Sequence, residues 1–227
     1  MTTVKLEEEL HSNTRRTRIT YRGLVDGRAA AVKCYRKPLF GLIHWIRALR
    51  RGKKIRRVGG PVPPIVFAGW IASEKCFGYG TAFLEGHRPL RVVLMEELSR
   101  SRQMEILRLL GRTMADAHKR GIEQPDGNLT NFLMGAGDEL SMVDEDDIRV
   151  HAGMLPLGVA ISNLANVAAR LPDEGMVETL LSAYLESAFV GKDSEWDSGA
   201  FWASVTGWRA MLDAKRASRN IAPRQFD

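Results

Sequence analysis

His118-Lys-Arg-Gly-Ile122, Pro125-Asp126-Gly-Asn-Leu-Thr-Asn131-Phe-Leu-Met134 and Leu140-Ser-Met-Val-Asp144 are the most informative segments of this 227-residue chain. Asn131 stands five residues after Asp126, and Asp144 follows thirteen residues later at the end of a short apolar run. Phe132-Leu133-Met134 and Leu140 to Val143 read as the two strands of a hairpin between them. Phosphoryl transfer from ATP needs a carboxylate that orients the attacking hydroxyl and oxygen ligands that hold Mg²⁺ against the phosphates. A loop Asp, an Asn and a strand-end Asp supply those groups. An isolated Asp-x4-Asn also serves as an Asx-turn or loop cap, so the rest of the chain must be read with it.

Upstream, Arg18 to Val25 is a β-prone run, Asp26-Gly27 is a hairpin turn, and Ala29 to Tyr35 returns as a second strand. Within the second run, Ala29-Ala-Ala-Val-Lys33 resembles the kinase strand whose lysine binds the α- and β-phosphates of ATP. Alone, Lys33 reads more readily as a solvated strand lysine. Taken in order, Lys33, Asp126, Asn131 and Asp144 match the kinase arrangement on the expected element types.

Residues 39–57 change character. Leu39, Phe40, Leu42, Ile43, Trp45, Ile46 and Leu49 are followed by seven basic residues among the eleven from Arg47 to Arg57. Gly59-Gly60-Pro61 and Pro63-Pro64 end that helix, and Ile65 to Ala72 and Phe77 to Leu84 read as two more strands. Glu85-Gly86 marks a break. Beyond it, Arg102 to Arg120, Ile161 to Leu171 and Met176 to Phe189 carry helical periodicity, with Trp196, Trp202 and Trp208 expected in the core of a C-terminal helical region. The expectation is an α+β, protein-kinase-like fold of two lobes around a cleft: a β-rich N-lobe over 1–86 and a helical C-lobe over 87–227.

Composition narrows the classes further. A hydrophobic share of 44% with 26% charged residues is ordinary for a folded domain. The net charge of +6 favours an anionic partner: nucleic acid, a phosphorylated substrate or an anionic membrane surface. Cys34 and Cys76 are the only cysteines, with no CxxC or Cys/His cluster to suggest zinc. Glu7, Glu8 and Glu9 stand where a signal peptide would need an apolar core, and no apolar stretch reaches the roughly 18 residues of a membrane span. The expected location is therefore the cytoplasm, with any membrane contact peripheral and made through Arg47–Arg57. Nucleic acid is not expected, since no zinc finger, RNP or helix-turn-helix pattern accompanies the basic run.

Glu9-Leu10, Arg15-Arg16-Thr17, Asp26-Gly27, Lys33, His118-x-x-Gly121-Ile122 and Leu181-x-x-Ala183-Tyr184-Leu185 are together similar to the lipopolysaccharide kinase (Kdo/WaaP) family over most of residues 8–190. The resemblance implies ATP-dependent phosphorylation of a heptose or Kdo hydroxyl of the lipopolysaccharide inner core, with ATP and Mg²⁺ as cofactors. By the same resemblance Asp126 is the catalytic base, Lys33 the phosphate-binding lysine, and Asn131 and Asp144 the metal ligands. The chain departs from the protein-kinase pattern in four places. Gln124-Pro125 replaces the His-Arg before the catalytic Asp, and Glu145-Asp146 replaces the Phe-Gly after the metal-binding one. The turn His11 to Arg16 holds no glycine, leaving Ser12 and Asn13 amides and Arg15 or Arg16 to meet phosphates. No Asp or Glu occurs between Gly27 and Ser73, so a partner for Lys33 must be Glu74, another carboxylate or Asp144. A pseudokinase that binds nucleotide or a partner without transfer is the alternative reading, and an aminoglycoside-type phosphotransferase shares the same fold expectation.

Overall fold

The computed structural model describes residues 2–188, 196–222 and 225–226. It is a mixed α+β protein whose contacts fall into two compact units: Met1–Arg57 with Val62–Gly86, and Val58–Pro61 with His87–Asp227.

The first unit is a five-stranded antiparallel sheet in the order β1-β2-β3-β5-β4. Its strands are β1 (Val4–Ser12), β2 (Arg18–Val25), β3 (Arg28–Tyr35), β4 (Ile65–Ile71) and β5 (Cys76–Ala82), with helix α1 (Pro38–Arg57) inserted between β3 and β4. The β2–β3 turn is set by Asp26 and Gly27, both left-handed with φ of 49° and 78°, which suits a tight hairpin whose twist matches the strands. Strand alternation gives β3 two faces. Ala30, Val32 and Cys34 join Val25, Ile71 and Cys76 in one apolar cluster, while Tyr35 packs with Tyr79 and Ala48 against α1 on the other. Trp45 fastens the helix to the sheet: its indole stacks on Phe77 at 5.0 Å and donates to the Gly78 carbonyl at 2.9 Å.

The second unit carries α2 (Leu90–Glu96), α3 (Arg100–Lys119), α4 (Leu157–Ala168), α5 (Glu174–Ala188) and α6 (Ser198–Ala217). Short strands lie among them. β6 (Arg88–Pro89), β8 (Phe132–Met134) and β9 (Leu140–Met142) form one antiparallel sheet, and β7 (Ile122–Glu123) pairs with β10 (Arg149–Val150). Leu107, Leu110, Met114, Leu129, Phe132, Leu164, Val167, Leu180 and Tyr184 are buried in its core. The loop between β7 and β8 therefore rests on a packed helical base. One expectation changes here. Within α6, Phe201 and Val205 are the buried residues and Trp202 and Trp208 only half-buried, although Trp196 does pack between Tyr184 and Phe201. The helix expected to run to Phe189 is described to Ala188, and Phe189 lies outside the described residues. No helix among the described residues is long and apolar enough to cross a membrane.

Candidate active site

Asp126 lies in the irregular stretch that links β7 to a 3-10 turn at Leu129–Asn131, which leads directly into β8. Polar side chains of the helical base hold this stretch by its backbone. Asn163 of α4 donates its Nδ2 to the Gln124 carbonyl at 2.6 Å and accepts the Gln124 amide on Oδ1 at 3.3 Å. One turn later Asn166 donates to the Pro125 carbonyl at 2.7 Å. Gly127 completes the fit, because a Cβ there would stand 2.9 Å from the Asn166 carbonyl carbon and the Val167 nitrogen. The loop lies directly on the α4 backbone, and only glycine fits that approach.

The hydrogen bonds continue inward. Asn163 Oδ1 also faces His118 Nε2 of α3 at 3.0 Å, and His118 Nδ1 meets the Tyr184 hydroxyl of α5 at 2.9 Å. Because the Asn163 amide nitrogen is engaged by Gln124, Oδ1 must accept, so His118 carries its proton on Nε2 and Tyr184 donates to Nδ1. Burial pushes the His118 imidazole down to about 4, keeping it neutral near pH 7, and burial also pushes the Tyr184 phenol up. Three helices thus converge on two residues of backbone just ahead of Asp126.

The carboxylate itself is held on one side. Asp126 Oδ1 accepts from the Asn128 amide at 3.2 Å and from the Arg170 guanidinium at 3.4 Å. Arg170 follows α4 and is buried, bonding back to both the carbonyl and the side-chain oxygen of Asn166. Asp126 Oδ2 has no partner among the described residues and is open for a hydroxyl. Asn131 donates Nδ2 to the Asp126 carbonyl at 3.2 Å, which leaves its Oδ1 as an uncommitted acceptor. The Asn131 carbonyl accepts the Val143 amide at 2.9 Å, so the residue before Asp144 is tied to Asn131. Asp144 is left-handed, with φ of 56°, a conformation that Asp tolerates better than most residues and that recurs at functional sites.

Asp126, Asn131 and Asp144 are therefore gathered by one local framework, and Lys33 stands in the other unit. Lys33 is half-buried in β3, paired in register with Thr20 and Tyr79 on the sheet face that α1 covers. Glu74, one of the carboxylates considered for it, bonds Arg36 at 2.8 Å instead. The β1–β2 turn also differs from expectation. Asn13 donates its amide to the Arg18 carbonyl, and its Oδ1 accepts the amides of Thr17 and Arg18 at 2.9 and 3.1 Å. Arg16 is paired with Glu9 at 2.6 Å. Asn13 thus satisfies its own turn, and its amide is not presented to a phosphate.

The oxygen set suits Mg²⁺. That ion takes few protein ligands, one or two of them carboxylates, and completes its shell with phosphate oxygens and water. Asp144 and Asn131 Oδ1 fit such a partial site. No group of three or more His, Cys, Asp or Glu that could hold a metal gathers among the described residues. Sequence reading missed Asn163, Asn166 and Arg170. Their signal was three polar residues recurring at i, i+3 and i+7 through an otherwise apolar helical segment. Comparison with protein-family models and with curated proteins finds no match to this chain.

Proposed function

We propose that this chain is an ATP-dependent phosphotransferase of protein-kinase-like architecture whose acceptor is a sugar hydroxyl. The resemblance noted above points to a heptose or Kdo of the lipopolysaccharide inner core. One observation carries the reading: Asp126, with one carboxylate oxygen fixed by Asn128 and Arg170 and the other open, stands bonded to Asn131, whose carbonyl holds the strand leading to Asp144. In this role Asp126 Oδ2 would orient the acceptor hydroxyl and take its proton as that oxygen bonds the γ-phosphorus of ATP, while the bond from the γ-phosphorus to the β,γ-bridging oxygen breaks and ADP leaves. Arg170 positions Asp126, and Asn131 and Asp144 hold Mg²⁺. When bound, ATP would supply the γ-phosphoryl group and Mg²⁺ would offset its charge, with Lys33 as the cation for the α- and β-phosphates.

Single-turnover transfer from ATP to purified core glycolipids of defined structure, with a protein substrate alongside, tests the assignment. Asp126→Ala should lower the transfer rate on the order of 10²- to 10⁴-fold while ATP binding stays nearly intact. An unchanged rate would remove Asp126 from the chemistry.

A second reading, nucleotide binding without transfer, is favoured by the lack of any acid on α1. It predicts ATP binding with no turnover against any acceptor.

A further inference from the structure

Helix α1 has two rows of residues at seven-residue spacing. Gly41 and Ala48 are buried beside the sheet and Ile55 is buried in the same row, whereas Ile43, Arg50 and Arg57 are exposed. Leu39 and Arg47 lie four residues on either side of Ile43, so they share its outer face. That face is apolar at its start and cationic at its end. Leu39 is 77% exposed, Phe40 64% and Ile43 46%, and the charges begin one turn later. Arg47, Arg50, Lys53 and Arg57 are exposed and have no hydrogen-bond or ion-pair partner among the described residues. Arg56, in the same basic run, faces the other way. It turns inward to the Gly52 carbonyl at 2.9 Å and the Tyr79 hydroxyl at 3.1 Å, and is a structural cation.

Beside this face is a cavity of about 380 Å³ whose lining includes Arg15, Arg18, Lys37, Phe40 and His44 and no acidic residue. Phe40 belongs to both features. A solvent-facing helix row has no packing reason to expose three large apolar residues next to several cations with no counter-charge. Hydrocarbon above and phosphate below is the environment that suits both.

We propose that the outer face of α1 docks on an anionic membrane surface. Leu39, Phe40 and Ile43 enter the interfacial region, Arg47, Arg50, Lys53 and Arg57 bond lipid phosphates, and the cavity beside Phe40 receives one headgroup phosphate. Apolar side chains of this size without a polar edge suit lipid better than a nucleic-acid backbone. The inference does not depend on phosphotransfer, and either can fail without the other.

Sedimentation of the full chain with phosphatidylcholine vesicles, with and without a quarter phosphatidylglycerol, is the test. Binding should require phosphatidylglycerol and weaken as salt rises. The quadruple variant Arg47→Gln, Arg50→Gln, Lys53→Gln and Arg57→Gln should lower the partition coefficient on the order of a hundredfold or more. Leu39→Ser with Ile43→Ser should remove the binding that survives high salt. All six positions are solvent-facing, so both variants should keep the parent circular dichroism and melting temperature. The proposal is overturned by absence of binding at low salt, by binding indifferent to both variants, or by stronger binding to duplex DNA or RNA than to vesicles. Release by millimolar inorganic phosphate at constant ionic strength would also overturn it, leaving a soluble-anion site in the cavity.

Discussion

The loop around Asp126 and the outer face of α1 both carry clusters of polar side chains, and they are built in opposite ways. Around Asp126, each fixing side chain has a named partner: Tyr184 to His118, His118 to Asn163, Asn163 to Gln124, Asn166 to Pro125, Arg170 to Asp126. On α1, Arg47, Arg50, Lys53 and Arg57 meet no counter-charge among the described residues. A buried polar network is stable only when its members are satisfied, because each orphaned group costs about 1–3 kcal/mol. Exposed cations bear no such cost. The difference separates a region arranged to hold one geometry from a region arranged to meet something outside the chain.

Asn163→Leu should have the largest effect. It removes the acceptor of His118 and both partners of the Gln124 backbone in one step, leaving buried groups without bonds. The expected loss of stability is about 4 kcal/mol, read by denaturant titration, and any remaining folded protein should have lost transfer more than ATP affinity. A loss below about 1 kcal/mol would mean that the network does not hold the loop.

Acid titration is the next strongest. His118 is held near 4 in the folded protein against about 6.5 when unfolded. The unfolded chain therefore binds the extra proton first as pH falls. Stability should be indifferent to this group above about pH 6.5, fall between about 6.5 and 4, and level off below. The shift corresponds to a contribution of about 3 kcal/mol. Chemical denaturation across that window, compared with His118→Gln, isolates the effect: the variant is less stable at pH 8 but should show a flatter slope below pH 6.5. Equal slopes would mean that the imidazole is not buried neutral.

Asn13→Ala is the mildest change and probes the first unit. Its side chain caps its own turn, so the loss should be about 1 kcal/mol in unfolding, with nucleotide affinity unchanged. A marked fall in ATP affinity would return this turn to the phosphate-binding role that its position suggested.

What could be read from sequence was what is local. The spacing of Asp126, Asn131 and Asp144, the Asp26-Gly27 turn and the long helices depend on neighbours in the chain, and the structure places them on the element types expected. The helix α1 was legible as a helix, but its buried side was not. Gly41 and Ala48 lie on the covered side with Trp45 and Leu49, while Leu39, Phe40 and Ile43 remain outside, against the usual reading of hydrophobic periodicity. The support of Asp126 was hidden for a different reason. Arg170 is 44 residues from Asp126 in sequence, and no local pattern ties a cation after one helix to a carboxylate before a distant hairpin. Helix α2 escaped notice because it is short and begins at Pro89 with no side-chain cap.

We propose that Asn131 and Asp144 hold magnesium against nucleotide phosphate beside Asp126, and calorimetric titration with ATP in the presence and absence of Mg²⁺ tests this without knowledge of the acceptor. The parent chain should bind ATP more tightly with Mg²⁺. Asp144→Asn, which keeps the shape but removes the charge, should lose most of that difference. Equal affinity of the parent chain with and without Mg²⁺ would contradict it.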